Sequence, residues 1–323
     1  MSQKSKRIKE LFGYACTLTR EQGVGAMASR AAGFFKRRFL GKKARYLPSK
    51  ETLQTQRQDA AAQNFPTISI LTPLFNTPEN FLRQYIESVI GQTAPNWQLV
   101  LVDASDADHT KVAEIVREYA ANEPRIVYAK IENQGISANT NAAAKLAAGP
   151  YLALADHDDM LAPHAVYCAG KLLAETDADF VYSDEALFEK TPERPKVGHF
   201  KPDYAPEYLM AVNYICHLAV FKKELFEAVG GERAVCDGAQ DHDLFLRIID
   251  EMQHRDPAAK PLHIPQVLYY WRVHAASTSS GTGAKPYVVT AAQKAVADHL
   301  AATGRRGTVE EGKFPGTCHV NWQ

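Results

Sequence analysis

Between residues 68 and 155, short apolar segments alternate with segments patterned as helices, and this alternation most constrains the fold. Ile68-Ser69-Ile70-Leu71, Leu99-Val100-Leu101-Val102, Arg125 to Tyr128 and Tyr151-Leu152-Ala153-Leu154-Ala155 have the length and bounding breakers of strands. Phe81 to Ile90, Thr110 to Ala120 and Ile136 to Ala148 lie between them. In the first of these, Phe81, Tyr85, Ile86, Val89 and Ile90 recur at helical spacing. A β-α-β-α-β-α-β order implies a mostly parallel sheet with helices on both faces. With 323 residues and 46% hydrophobic content, the chain has enough apolar mass to bury such a sheet.

Polar residues follow the strands at corresponding places: Asn76 after the first, Asp103 after the second, and Asp156-His157-Asp158-Asp159 after the fourth. Ligands of open α/β sheets sit beyond the carboxyl ends of the strands, so the repetition predicts one shared cleft. Clustered carboxylates there suit a hard divalent cation that holds phosphate groups. The plainer reading of Asp156 and Asp158 is a turn leading into the helix near Pro163. No G-x-G-x-x-G follows the first strand and no G-x-x-x-x-G-K-[ST] occurs, which disfavours a dinucleotide fold and a P-loop ATPase.

After Asp159 the pattern changes. Pro163 to Ala174 reads as a helix, and Phe180-Val181-Tyr182 as a strand ending in a Ser183-Asp184-Glu185 turn. Residues 189–207 read as a long surface loop, and Leu218 to Phe221 as a strand. Gln240-Asp241-His242-Asp243 opens a helix, where aspartates also favour the free N–H groups of the first turn. His263 to Arg272 is a strand, residues 275–286 a flexible loop, and Pro286 to Ala302 a last helix.

The net charge is zero, yet the first fifty residues are dense in Lys and Arg, opposed only by Glu10 and Glu21. Their basic, partly amphipathic pattern is expected to touch an anionic membrane surface, to bind a partner protein, or to pack on the body. The polar stretch 47–65 reads as a linker. No apolar run reaches the roughly 18 residues that span a bilayer, and the scattered, odd-numbered cysteines form neither a disulfide framework nor a zinc site. A cytoplasmic protein is the expectation, with a peripheral position on the inner membrane face as one of the uses open to the basic arm.

SILTPLFNTP, LVLVDAS, ENQGISANTNAAAKLAAGPYLALADHDD, VYSDE, FKPDYAPEYL, NYICHLAVFKKELFEAVGG, DGAQDHDLFLRI and HIPQVLYYWRVHAAST occur in this order. In content and spacing they resemble family 2 glycosyltransferases of GT-A fold, closest to bacterial members that build surface polysaccharide such as O-antigen. The resemblance covers residues 65–303 as the GT-A domain, which leaves residues 1–64, read above as a basic helical arm and linker, and 304–323 as a C-terminal tail. It implies inverting transfer of a sugar from a nucleotide-sugar donor, such as a UDP or dTDP sugar, to a saccharide or lipid-linked acceptor. Mn2+ or Mg2+ is the implied cofactor, and nucleic acid is not an expected partner.

By the same resemblance, Pro73 and Asn76 belong to the loop that holds the nucleotide, and Asp103 to the base site. Gly135 and Asn141 lie beneath the donor pocket. Asp156, Asp158 and Asp159 match the D-x-D element, with Asp156 on the donor and Asp158 and Asp159 on the metal. His274 matches a further metal ligand, and Asp241 the catalytic base. Asp184 and Trp271 are expected near the acceptor or sugar, against the plainer readings of a strand-end turn and a core residue. Relatives often have Glu where Gln240 stands, so Asp241 would act alone. The alternatives are a sugar nucleotidyltransferase, for which no basic Gly-rich loop is seen, and a non-catalytic partner subunit that binds nucleotide sugar.

Overall fold

The structure, a computed structural model, describes residues 46–274, 286–314 and 316–323. Residues 1–45, which carry most of the basic arm, and residues 275–285 of the loop expected at 275–286 lie outside the described residues. The body starts with a helix, α1 (Lys50–Ala62), where the polar composition suggested a linker. Its residues are mostly good helix formers, and the Ser49 hydroxyl caps it by accepting from the Thr52 N–H at 3.1 Å. Ala60 is buried in the core, and Asp59 accepts a hydrogen bond from the Tyr167 hydroxyl, so α1 is docked.

The parallel half follows the alternation in the sequence: β1 (Ile68–Leu74), α2 (Glu79–Ile90), β2 (Trp97–Asp103), α3 (Lys111–Ala120), β3 (Ile126–Lys130), α4 (Ile136–Leu146) and β4 (Tyr151–Leu154). The sheet order begins β3-β2-β1-β4, all parallel, with Leu74 beside Asp103 and Leu71 beside Leu154 at the carboxyl ends.

Strand side chains alternate between faces. Ile68 and Ile70 of β1, Leu99 and Leu101 of β2, and Tyr151 and Ala153 of β4 pack with Leu82, Tyr85, Ile86 and Val89 of α2. Leu71, Val100, Val102 and Leu152 face the opposite layer, with Ala143 and Ala144 of α4. Strands buried on both sides read as continuous apolar runs, as these do. Each fully buried large aliphatic side chain contributes about 1.5–3 kcal/mol, an upper figure because unfolded chains already bury some area.

The second half is mixed. It comprises β5 (Met160–Leu161), α5 (Ala165–Thr176), β6 (Phe180–Phe188), β7 (Val197–His199), α6 (Pro206–Ala211), β8 (Ala219–Lys222), α7 (Lys223–Ala228), a 3-10 turn (Ala234–Cys236), α8 (Gln240–Arg255), β9 (Leu262–Arg272) and α9 (Pro286–Ala302). The sheet continues β4-β8-β6-β9-β5, with β8 antiparallel to both neighbours. Ser183-Asp184-Glu185 lies inside β6 rather than in a turn after it; the register with β9 shifts there, at an irregularity that accommodates buried carboxylates. Part of the expected long loop is ordered as β7 and α6. The final residues, read as a tail, form an antiparallel hairpin, β10 (Gly307–Glu311) with β11 (Cys318–Trp322). Arg305, just ahead of the hairpin, stacks over the Trp322 ring at 4.5 Å.

Candidate active site

Asp156 to Asp159 form the turn between β4 and β5. Because β5 pairs antiparallel with β9, Met160 beside Tyr270 and Leu161 beside Tyr269, the end of β9 lies against this turn. Tyr269 donates its hydroxyl to Asp159 Oδ2 at 2.7 Å and accepts from the Asp156 N–H at 3.0 Å. The Arg272 N–H meets Asp159 Oδ1 at 2.6 Å, and its side-chain Nε meets the Asp158 carbonyl at 2.5 Å. Asp159 is therefore a buried brace with both oxygens engaged, while Asp156 is exposed and Asp158 partly so. His274, two residues past β9, places Nε2 2.7 Å from Asp158 Oδ2 and packs on the Phe81 ring at 5.1 Å.

A second histidine enters from the other side. His217, just ahead of β8, stacks on Tyr269 at 4.6 Å and lies 3.5 Å from Asp156 Oδ2 and 3.4 Å from Glu185 Oε2. Burial disfavours its cation, but Cys216, Asp156 and Glu185 hold its pKa well above the ordinary value. Single ligand atoms of Asp156, Asp159 and His217 lie within 4.8 Å of one another. Burial first, then the charges of Asp156 and Asp158, push the Asp159 carboxyl well above the usual range. Carboxylates that oppose one another's ionisation around a half-buried imidazole are a donor set suited to a divalent cation.

Behind His217 is a buried ionic network that the sequence did not indicate. Glu185 accepts from the His217 N–H at 2.6 Å and pairs with His199 Nδ1 at 2.9 Å; Lys201 Nζ lies 3.7 Å away. Burial opposes its ionisation, yet the His199 and His217 hydrogen bonds and the Lys201 charge hold it well below its ordinary value. Asp184 is also inside, meeting the Lys201 N–H and His263 Nε2, each at 2.9 Å. Its carboxylate is thus engaged by the protein. Trp271 is half-buried, 5.7 Å from the His217 ring.

Pro73, expected at the nucleotide end of the cleft, lies in β1. Asn76 has a positive φ of 52° and is clamped by Asp106, which accepts from its side-chain amide at 2.7 Å and donates its N–H to Asn76 Oδ1 at 3.1 Å. Asp103 is buried at the end of β2, accepting from Tyr128 Oη at 3.0 Å and the Ser105 N–H at 2.8 Å, with Lys130 Nζ at 3.2 Å.

The turn between α7 and α8 is stitched to α4. Ser137 donates to Asp237 Oδ1 near the helix start. Gly135 caps that start with φ of 95°, and a Cβ there would sit 2.9 Å from Asp237 Oδ2. One turn on, Asn141 clasps the Glu232 backbone, donating to its carbonyl at 2.8 Å and accepting from its N–H at 2.9 Å. Gly231 has φ of 72°, and a Cβ there would come within 2.4 Å of Asn141 Oδ1. Gly231→Ala should therefore strain the backbone and break the clasp. We expect a loss of about 1–3 kcal/mol in unfolding free energy, read from urea melts. Gly304→Ala should lose less, because its φ of 67° is similar but a Cβ there meets nothing within 4 Å.

This turn delivers Asp241 to the first turn of α8. Asp241 Oδ1 accepts from the His242 N–H at 2.9 Å, and its carboxylate lies against the Cys216 thiol. Cys216 and His217 are consecutive, so Asp241 and Asp156 flank one short segment. Asp243 points inward, its oxygens taken by Arg233 and by Arg247 Nη2 at 2.6 Å. His217, Tyr269, Arg272, Glu185 and Glu232 were not singled out from the sequence. NYICHL and LYYWRVH contain the first three, but only the folded register puts them beside the carboxylate turn.

A mostly parallel Rossmann-like sheet, with a carboxylate turn at the carboxyl end of β4 and an acidic helix start opposite it, defines a GT-A glycosyltransferase domain. A family model described as glycosyl transferase family 2 matches residues 69–230, half of the chain, and the chain belongs to that family. It is 34% identical over 260 residues to the O-antigen biosynthesis protein RfbC of Myxococcus xanthus, covering 79% of this chain and 20% of that protein. It is 38% identical over 263 residues to the protein y4gI of Sinorhizobium fredii, covering 80% of this chain and 28% of that one. The chain thus spans about a quarter of the length of these curated relatives. Its fold matches that of Staphylococcus aureus TarS 1–349 in complex with UDP-GlcNAc, with TM-score 0.58 and 17% identity over 72% of this chain and 66% of that one. Among the described residues no helix is long and apolar enough to cross a membrane.

Proposed function

We propose that the chain is an inverting, metal-dependent glycosyltransferase of cell-surface polysaccharide synthesis. It takes a sugar from a UDP or dTDP sugar and transfers it to a hydroxyl of a saccharide or lipid-linked acceptor. The observation that carries this reading is the arrangement around residues 216–217: Asp156 with the Asp158–His274 pair on one side, and Asp241 on the other. The name of the Myxococcus relative supports the polysaccharide assignment.

In this reading Asp158 and His274 would hold Mn2+ or Mg2+, while Asp159, engaged by Tyr269 and Arg272, braces the turn from behind. When bound, the cation neutralises charge on the departing nucleoside diphosphate. Asp156 faces the donor, Pro73, Asn76 and Asp103 shape the nucleotide end of the cleft, and Gly135 and Asn141 form its underside. Trp271 lies near the sugar, and Asp184 holds β6 in place from inside. Asp241 accepts the proton of the acceptor hydroxyl as its oxygen bonds to the anomeric carbon and the carbon–oxygen bond to phosphate breaks. The basic N-terminal segment would bring this body, on the cytoplasmic side, to an anionic membrane surface.

Calorimetry with UDP and dTDP, with and without Mn2+, tests the donor site, and a panel of nucleotide sugars then names the donor by slow hydrolysis. We expect one diphosphate to bind more tightly with Mn2+, and Asp158→Ala to weaken that binding by about tenfold or more. Equal affinity in the folded variant, with and without the ion, would overturn the metal assignment.

A further inference from the structure

Glu232 is a buried carboxyl with no assigned task. It is 5% exposed, and its Oε2 is enclosed without a hydrogen-bond partner among the described residues. Buried polar atoms are nearly always paired, so an orphan calls for an explanation. Its backbone is fixed by the Asn141 clasp, and Thr140 of α4 approaches the carboxyl. The charges that face it are those of Asp241 on α8, Asp237 on the preceding turn and Asp156 beyond β4. Nearby cations are committed elsewhere: Arg233 to Asp243 and Asp298, and Arg247 to Asp243 and the Val229 and Gly231 carbonyls.

Extending the role proposed above for Asp241, we propose that Glu232 is a positioning residue for it: an uncharged buried carboxyl that leaves the single negative charge of the pair on Asp241. Two neighbouring carboxylates that cannot both ionise divide the work, one remaining an acid while the other is the base. Here burial decides which. Glu232 is enclosed with an unpaired oxygen, whereas Asp241 is partly exposed at a helix start, where N–H groups favour a negative charge. In agreement, burial and then the Asp241 charge push the Glu232 carboxyl well above its usual range. The arrangement keeps Asp241 ready to accept a proton and keeps a second negative charge away from the acceptor.

Infrared difference spectroscopy of the full chain, wild type minus Glu232→Gln, reads this without any substrate. At pH 7 the difference should contain the carbonyl stretch of a protonated carboxyl. In Asp241→Asn that band should titrate at lower pH, because the charge opposing Glu232 ionisation is gone. A missing band at pH 7, or an unmoved midpoint in Asp241→Asn, overturns the proposal. If Glu232→Gln does not fold, the band followed in wild type against Asp241→Asn separates the same two outcomes. Melting temperature is a second check. A carboxyl whose folded pKa is raised loses stability as pH climbs above the unfolded value. Glu232→Gln should therefore melt with wild type near pH 4 and increasingly above it towards pH 8. The two readings fail separately: transfer surviving in Asp241→Asn refutes the base, whereas an inactive Asp241→Asn with an unmoved band refutes only the Glu232 coupling.

Discussion

Asp241→Ala should lower sugar transfer by about 10²–10⁴-fold while leaving the fold and nucleotide binding intact. The size follows from the role: a general base acts on the acceptor proton in the transition state and contributes little to holding the donor. The side chain is partly exposed, and its described contacts are local, to the His242 N–H and the Cys216 thiol. Its removal therefore breaks no buried ion pair, unlike removal of Asp243, which neutralises Arg233 and Arg247. Steady-state kinetics with the donor named by the panel separates the outcomes. A fall in kcat with an unchanged diphosphate Kd fits the base, and full activity in a folded variant removes it. Asp243→Ala is the contrast, with a lowered melting temperature as its main effect.

Glu185→Ala should cost about 3–5 kcal/mol of folding stability, the range for removing one partner of a buried charge network. It leaves Lys201 buried, with the Ile215 and His217 carbonyls as the acceptors of its ammonium among the described residues. It also frees the His217 ring that faces Asp156, so donor binding should weaken alongside. Glu185→Gln keeps the shape and isolates the charge. The folded pKa of Glu185 is depressed relative to an ordinary value of 4.5. Its contribution is therefore complete above that value and is lost as pH falls through the folded pKa. Melting temperatures of wild type and Glu185→Gln should differ most at neutral pH and converge in acid. A constant difference across that range would show that shape, and not charge, is what the position supplies.

The parallel half of the fold was legible because each of its strands is a continuous apolar run and each helix shows one period. Partners there are consecutive in sequence, so the order of elements nearly dictates the order of the sheet. The second half was less legible for physical reasons. Ser183-Asp184-Glu185 has the composition of a turn, and is a strand because Lys201, His199, His217 and His263 arrive from distant segments to pair its carboxylates. The polar α1 read as a linker because its helical propensity shows no apolar stripe. At the site, the carboxylate turn stood out from its place after a strand, while its link to His274 spans more than a hundred residues and entered through resemblance. Glu232 gave no signal at all, since only burial distinguishes it from a surface glutamate.

The end of β9 also governs how the site comes into being. Tyr269, Arg272 and His274 reach the carboxylate turn from one strand end, and the contacts they make join residues 110 to 116 positions apart in sequence. Loop closure over such a span is entropically costly and late, whereas neighbouring strand–helix units can assemble locally. A nascent chain that stops short of Leu262 has the parallel strands but leaves the Asp159 carboxylate without the hydroxyl and N–H that satisfy it. On the proposed reading, competence to bind a cation would be coupled to completion of the sheet, and a half-made molecule would have the carboxylates of the turn without the histidine and the brace that complete the arrangement.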